Sequence, residues 1–225
     1  MDDGFGDSIS LTDGGTLIVS NCTFDGSNLF LLGHRAIQSA GTTGTQLIVE
    51  NSTFQNGWYV SLQGKFTKLD VSDSTFTNVK SGINVQKATG NTTISNTDFS
   101  VIAQGVTNDT YGVRFASPLP GSSGGNLSIT GSSFVVDKNG LVADHDHAYH
   151  SAIIVRAGAT GSLKAAYNQI LGEVVNQSTV TLNAENNWWG GTNGPSSDMI
   201  IELPPEPIEN NIDYTPWLKL FVDLD

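Results

Sequence analysis

The chain has 225 residues, which suits one all-β domain, and 38% of them are hydrophobic, so it can bury a core. No apolar run reaches the ~20 residues of a membrane-spanning helix, so no membrane insertion is expected. Ten Lys and Arg against 22 Asp and Glu give a net charge of -12, which argues against nucleic acid as a partner because phosphates are bound through clustered basic residues.

The first predicted element is a strand without a preceding partner. Ile9 and Leu11 alternate as in a half-buried strand, and they precede Leu17 at the spacing by which a second strand precedes the next repeat. Residues 1–16 are therefore predicted to be a partial first coil whose N-terminal end is truncated. The native chain is expected to continue N-terminally beyond Met1, because an open solenoid edge needs a cover.

An eight-residue pattern then recurs along the chain. Each copy has apolar residues at positions one and three, Asn or Asp at position five, two small polar residues and a large apolar residue at position eight. Seven copies, some of them degenerate, occur over residues 17–24, 47–54, 69–76, 92–99, 127–134, 163–170 and 182–189. Residues 17–190 are therefore predicted to form about seven parallel coils in which equivalent residues stack, because no single copy can bury its own apolar face.

Two columns follow from this alignment. The fifth position reads Asn21, Asn51, Asp73, Asn96, Gly131, Tyr167 and Asn186. These side chains are expected to face inward and to hydrogen-bond one another and the turn backbone. The eighth position reads Phe24, Phe54, Phe76, Phe99, Phe134, Ile170 and Trp189, an apolar core column. Cys22, the only cysteine, is expected to be buried filler at a small repeat position.

Each coil is predicted to contain a second strand. Its inward pairs are Ile37 and Ser39, Val60 and Leu62, Ile83 and Val85, Val113 and Phe115, and Ile153 and Val155. The outward positions beside them read Gln38, Ser61, Asn84, Arg114 and Ile154. This alignment predicts a polar column along one flank of the coils.

Three insertions precede these second strands. The distance from the Phe position to the second strand is 6 or 7 residues after Phe54 and Phe76, but 13, 14 and 19 residues after Phe24, Phe99 and Phe134. Stacking places the insertions on one side of the coils, and insertions on one face of a solenoid often build its binding face.

The insertions contain the candidate site residues. All four histidines of the chain lie in them. The predicted ligand-binding residues are His34, Arg35, Asn84, Tyr111, Arg114 and Tyr149, which suit carbohydrate through hydroxyl hydrogen bonds and ring stacking. No cofactor is certain, but His145, His147 and His150 could ligate a transition metal, and the acidic side chains could bind calcium.

The C-terminal part resembles a known family. The motif Asn186-Asn187-Trp188-Trp189-Gly190, followed by Gly194-Pro195 and by Tyr214-Thr215-Pro216-Trp217-Leu218, is similar to the terminal signature of right-handed parallel β-helix repeat proteins of bacterial and archaeal surfaces. The resemblance implies a right-handed parallel β-helix with residues 191–225 as its cap. Its members include polysaccharide lyases, glycosidases, adhesins and phage fibres, so it implies no single activity. Pro204, Pro205 and Pro207 are expected to end strand pairing there.

These observations predict an extracellular or cell-surface module of a larger protein that binds carbohydrate or acts in adhesion. An alternative is a glycosidase that uses Asp109, Asp144 and Asp146 as carboxylates. A lyase would instead need an arginine base, for which Arg114 and Arg156 are the candidates near the insertions. A structural spacer is the third hypothesis.

Overall fold

The computed structural model describes residues 7–12, 14–26, 33–40, 44–104, 109–116, 123–141, 149–202 and 211–219. Within these ranges the protein is all-β, and its 21 strands form two sheets. None of these residues belongs to a helix that could cross a membrane.

The larger sheet has 15 strands. They are β1 (Asp7–Leu11), β2 (Thr16–Ser20), β4 (Arg35–Ser39), β5 (Thr45–Glu50), β7 (Val60–Ser72), β9 (Ser81–Ala88), β10 (Thr92–Ser95), β12 (Thr110–Phe115), β13 (Leu127–Thr130), β15 (His150–Val155), β16 (Leu163–Ala166), β18 (Glu173–Asn176), β19 (Leu182–Asn183), β20 (Ile200–Glu202) and β21 (Ile212–Asp213). The smaller sheet has six: β3 (Thr23–Asp25), β6 (Thr53–Gln55), β8 (Thr75–Val79), β11 (Asp98–Ile102), β14 (Ser133–Asp137) and β17 (Gln169–Leu171).

The long strand β7 divides the larger sheet into two rows. The first row contains β2, β5, β10, β13, β16, β19 and β21 together with the end of β7, and the second row contains β1, β4, β9, β12, β15, β18 and β20 together with its start. Each of the first six repeats thus contributes one strand to the first row, one to the six-stranded sheet and one to the second row, and the seventh contributes β19 and β20 to the two rows. One apolar core joins all three.

The predicted stacking of equivalent residues is confirmed by the strand register. Every pairing among the described strands is parallel. Leu17 pairs with Leu47, and Leu47 pairs with Leu69. The strand predicted around Ile9 is confirmed as well, since Ile9 pairs with Ile37 of β4.

The phenylalanine column is the centre of the core. Adjacent rings from Phe24 to Phe134 are stacked with centroids 4.8 Å apart and interplanar angles of 3–8°. This distance is the spacing of neighbouring strands, so the rings keep the register of the backbone. Ile170 continues the column opposite Phe134, as predicted.

The inward orientation expected for the fifth repeat position is wrong. All seven residues there have positive φ, from 46° at Asn51 to 62° at Tyr167, and all are exposed except the half-buried Asn186. Asn and Asp tolerate this left-handed conformation better than other side chains, which explains their recurrence. The expected contact between neighbours does occur, because Asn96 donates to Asp73 at 3.2 Å.

The left-handed residue turns the following side chain inward. The sixth position is buried at Ser52, Ser74, Thr97, Ser132, Asn168 and Asn187. Five of them accept hydrogen bonds from the backbone N–H of the preceding repeat, as in Ser52 N to Ser74 Oγ at 3.1 Å and Ser132 N to Asn168 Oδ1 at 2.9 Å, and the Thr97 hydroxyl donates to Ser95 O. Cys22 occupies this position but is exposed, so its predicted burial is wrong. In the described part of the chain, β2 and β3 are edge strands with no repeat stacked beyond them.

The turn geometry makes a prediction at Asn51. Replacing Asn51 by Gly should change the free energy of unfolding by less than about 0.5 kcal/mol, because Gly adopts positive φ without strain. Replacing it by Ile should cost about 1–2 kcal/mol, because a β-branched side chain is strained at φ 46°. Urea denaturation of the two variants measures the difference, and equal stability of both would contradict the role of φ.

The second-strand register differs from the sequence alignment in one repeat. Ile37 pairs with Leu62, and Leu62 pairs with Ile83, so the strand residues after Phe54 stack two positions later than predicted. The outward column therefore contains Gln63 in place of Ser61. The other predicted outward residues keep their places.

The C-terminal segment adds to the sheets. Strand β20 pairs with β18 and β21 pairs with β19, so residues beyond 190 extend both rows. Leu218 N donates to Asn187 O at 2.9 Å, and the indole of Trp217 donates to Thr192 O at 3.3 Å. The first bond joins the predicted cap to the last repeat, and the second lies within the cap. Pro204, Pro205 and Pro207 lie outside the described residues.

Candidate functional site

The three insertions return to the same edge of the protein. The strands that follow them are β4, β12 and β15, which all belong to the second row, and Thr110 pairs directly with His150. Most residues of the insertions lie outside the described ranges, so the site is defined by their ends and by the strands beneath them.

A hydrogen-bonded polar ladder runs along the outer face of the second row. Arg114 Nε donates to Asn84 Oδ1 at 3.1 Å, and Asn84 Nδ2 donates to Gln63 Oε1 at 3.1 Å. In the first repeat, Arg35 donates to Gln38 Oε1 at 3.1 Å and to Asp7 Oδ1 at 3.3 Å. The predicted polar column therefore contains two hydrogen-bonded groups, Arg114–Asn84–Gln63 and Arg35–Gln38, which are neighbours because Gln38 pairs with Gln63 in the strand register.

Asp109 is the centre of a buried ion-pair network. Its Oδ2 accepts hydrogen bonds from Arg114, at 3.0 Å, and from Arg156, and its Oδ1 accepts one from the backbone N–H of Tyr149 at 3.1 Å. Both carboxylate oxygens are thus occupied by donors from three segments of the chain. This arrangement makes Asp109 an anchor that joins the second insertion to the third.

Two tyrosines cover the apolar end of the outer face. Tyr111 and Tyr149 pack with Ile154, Val175 and Ile201 in a small apolar cluster separate from the main core. Only 2% of Tyr111 and 7% of Tyr149 is exposed. The rings of Tyr111 and Tyr149, which were predicted to stack on carbohydrate, are therefore buried within this cluster.

The same tyrosines position the arginines. The guanidinium carbon of Arg114 lies 4.6 Å from the centroid of the Tyr111 ring, and that of Arg156 lies 5.3 Å from the Tyr149 ring. Gln177 accepts from Arg156 at 2.8 Å and donates to Tyr149 Oη at 3.0 Å. Burial raises the pKa of Tyr111, so its hydroxyl remains neutral at physiological pH. Stacking and hydrogen bonding thus fix both guanidinium planes.

Lys80 is a buried amine beside this network. Its Nζ lies 3.9 Å from the centroid of the Tyr59 ring, and only 2% of the residue is exposed. Burial lowers the pKa of Lys80 to about 8; Asp109 acts against this shift and Arg114 adds to it. Lys80 is then neutral in about a tenth of the molecules at pH 7, a far larger fraction than for an exposed lysine.

The lowered pKa of Lys80 has a consequence for stability. The pKa of Lys80 in the folded protein, about 8, lies below the ordinary 10.5. The buried ammonium therefore lowers the free energy of unfolding by its full amount below pH 8, and this loss disappears as the pH rises towards 10.5. Replacing Lys80 by Met should stabilise the protein by about 1–3 kcal/mol at pH 7 and by less at pH 9.5. Guanidinium denaturation at both pH values measures this. The exposed Lys87, replaced by Met, is the control, and a gain independent of pH would contradict the prediction.

His150 and Glu173 complete the described site. Burial lowers the pKa of His150, and the nearby Glu173 acts against this. Glu173 is itself buried, and Lys138 donates to its Oε1 at 2.6 Å. Among the described residues no group of three His, Cys, Asp or Glu side chains is arranged to hold a metal ion.

The predicted residues are distributed in three groups. Asn84, Tyr111, Arg114 and Tyr149 come together with Asp109, whereas His34 and Arg35 lie at the start of β4, at the other end of the ladder. Asp144, Asp146, His145 and His147 lie outside the described residues. The separation of the three candidate carboxylates and the predicted metal set are therefore untested.

Three residues of the site were not predicted from the sequence. Lys80 follows a corner that has no insertion, so the repeat spacing gives no signal of a site there. Gln63 was not predicted because the sequence alignment, which is two residues out of register there, placed Ser61 at this outward position. Glu173 belongs to the most degenerate repeat, and no pattern in the sequence distinguishes it from a surface carboxylate.

Comparison of the chain with models of known families, with curated proteins and with solved structures finds no match. The chemistry of the site is therefore interpreted from its own residues.

Proposed function

We propose that this chain is a right-handed parallel β-helix module of an extracellular surface protein that binds carbohydrate on the outer face of the second row. The parallel pairing of successive repeats supports the β-helix, and nearly all parallel crossovers are right-handed. The composition, which is poor in lysine and almost free of cysteine, is typical of bacterial and archaeal surface proteins.

The observation that carries the proposal is the polar ladder on the flank to which the three insertions return. The half-buried Arg35, Gln38 and Arg114 offer donors and acceptors along this flank, whereas the buried Asn84 and Gln63 between them hold Arg114 in place. A row with the repeat spacing of ~4.8 Å suits an extended chain of hydroxyl-bearing units. Because the groups hold one another in place, little side-chain entropy would be lost on binding.

The test is binding of the labelled protein to a glycan array, followed by calorimetry with the glycan that binds. Gln38→Ala and Arg35→Gln should each weaken binding about tenfold or more, because each removes a ladder group that is only half-buried. Lys164→Gln, on the exposed face of β16, should leave the affinity unchanged.

Melting curves of the variants separate a loss of binding from a loss of folding. Equal affinities for all variants, or no glycan binding at all, would overturn the proposal. Analysis of the glycan for shortened chains after incubation with the protein tests the alternative of a carbohydrate-active enzyme. No contact among the described residues favours that alternative.

A further inference from the structure

A second column lies at the start of the strands of the second row. The register places Tyr59, Lys80, Thr110 and His150 in successive repeats, because Leu62 pairs with Ile83, Ser81 with Tyr111, and Thr110 with His150. Neighbouring members are thus one strand spacing apart. This position marks the corner at which each insertion joins the sheet.

Two adjacent members of this column carry buried polar atoms without a hydrogen-bond partner among the described residues. They are Thr110 Oγ1 and both ring nitrogens of His150, and both residues are fully buried. Lys80, the neighbour of Thr110 in the column, places its ammonium 3.9 Å from the centroid of the Tyr59 ring. Nine-tenths or more of buried polar groups in proteins are paired, so unpaired atoms on two neighbouring side chains beside a buried ammonium indicate a missing partner.

The chemistry of these groups defines that partner. The ammonium offers three donors and no acceptor, the hydroxyl can donate, and the neutral imidazole donates from one nitrogen. Donors are therefore in excess, and one of them is charged. A small group rich in acceptors and negative in charge would satisfy all three, as the oxygens of a carboxylate, sulfate or phosphate do.

The surrounding charges are compatible with an anion. Asp109 is already neutralised by Arg114 and Arg156, and Glu173 is paired with Lys138. The described residues at this corner include four basic side chains, Lys80, Arg114, Lys138 and Arg156, and two acidic ones, Asp109 and Glu173. Positive charge is therefore in local excess among the described residues.

We infer that Lys80, Thr110 and His150 form an oxyanion-binding subsite at the edge of the proposed carbohydrate site. The inference rests on the proposed function, because it locates the subsite beside the proposed carbohydrate site. The oxyanion is either free in solution or carried on the glycan as a carboxylate. Binding brings acceptors to the ammonium and to the unpaired atoms of Thr110 and His150.

The experiment measures the melting temperature of the intact protein with inorganic phosphate, sulfate, glucuronate and, as the neutral control, glucose. An oxyanion at ten times its dissociation constant should raise the melting temperature by about 3–6 °C, and glucose should not. A response to phosphate and sulfate indicates a free anion, whereas a response to glucuronate alone indicates a carboxylate on the sugar.

Two variants test the named side chains. Lys80→Met and Thr110→Val should each weaken oxyanion binding at least tenfold by calorimetry, whereas Lys87→Met should not. Thr110→Val also keeps or raises the ligand-free melting temperature, because it removes an unpaired buried hydroxyl at nearly constant volume. A purely structural role for Thr110 would lower that temperature instead.

The outcomes separate this inference from the proposed function. No response to any oxyanion, or the same response in all variants, would overturn the subsite. Glycan binding by a protein that responds to no oxyanion would overturn the subsite and leave the proposed function standing. Oxyanion binding without any glycan binding would support the subsite and overturn the proposed function.

Discussion

Replacing Phe99 by Ala should lower the free energy of unfolding by about 3–5 kcal/mol. The Phe99 ring is buried and lies between Phe76 and Phe134, with both centroids 4.8 Å away. Truncation removes two stacked contacts as well as the apolar surface, and the backbone register prevents the neighbouring rings from closing the gap. Urea denaturation followed by circular dichroism measures the loss.

Thr77→Ala is the matched control for Phe99. Thr77 is an exposed residue of the adjacent strand β8 in the same sheet, so its truncation should change stability by less than about 0.5 kcal/mol. A cost below about 1 kcal/mol for Phe99→Ala would show that the column is not the structural centre of the core.

The repeat predicted the strand pairing because equivalent residues face equivalent neighbours. The pattern could not show the direction of each side chain at the bend. At Asn51 the backbone takes φ 46°, which breaks the alternation of a strand and turns Ser52 inward instead. Asn is frequent at this position for its backbone conformation, whereas the predicted inward hydrogen bonding is the role of the next residue.

The shift in the second row has a similar cause. Val60, Leu62 and Gly64 follow one another with the period of a strand, so moving the alignment by two residues leaves the apolar pattern intact. The structure resolves the ambiguity because β7 runs through the corner from one row to the other. Sequence spacing alone contains no signal for a strand of this kind.

The site was predicted at the correct edge but not in its details. The unequal spacing between the Phe position and the second strand of each repeat located the insertions. Asp109 lies in the second insertion and Arg114 in the strand that follows it, so both were predicted. The pairing of Asp109 with Arg156 spans 47 residues, and Tyr111 is buried by packing with Tyr149, Ile154 and Val175. Both are tertiary contacts that no local pattern encodes. The polar atoms left unpaired at Thr110 and His150 can be recognised only from coordinates.

Replacing Asp109 by Ala should cost about 2–4 kcal/mol, because it leaves two partly buried guanidinium groups without a counter-charge. The side chains of Arg114 and Arg156 are 26% and 16% exposed, and that of Asp109 is 11% exposed. Solvent reaches Arg114 and weakens its share of the cost. The loss of the bond to Tyr149 N also releases the end of the third insertion. Guanidinium denaturation in low salt measures the combined effect.

Asp70→Ala is the matched control, since Asp70 forms an exposed ion pair with Lys68 and should cost less than about 0.5 kcal/mol. Adding Arg156→Met to Asp109→Ala should recover part of the stability, because it removes one uncompensated charge. Equal costs for Asp109→Ala and Asp70→Ala would contradict the anchoring role. Full stability combined with loss of glycan cleavage would instead make Asp109 a catalytic carboxylate. The recovery in the double variant is the decisive comparison, because a residue that acts only on substrate has no such coupling to Arg156.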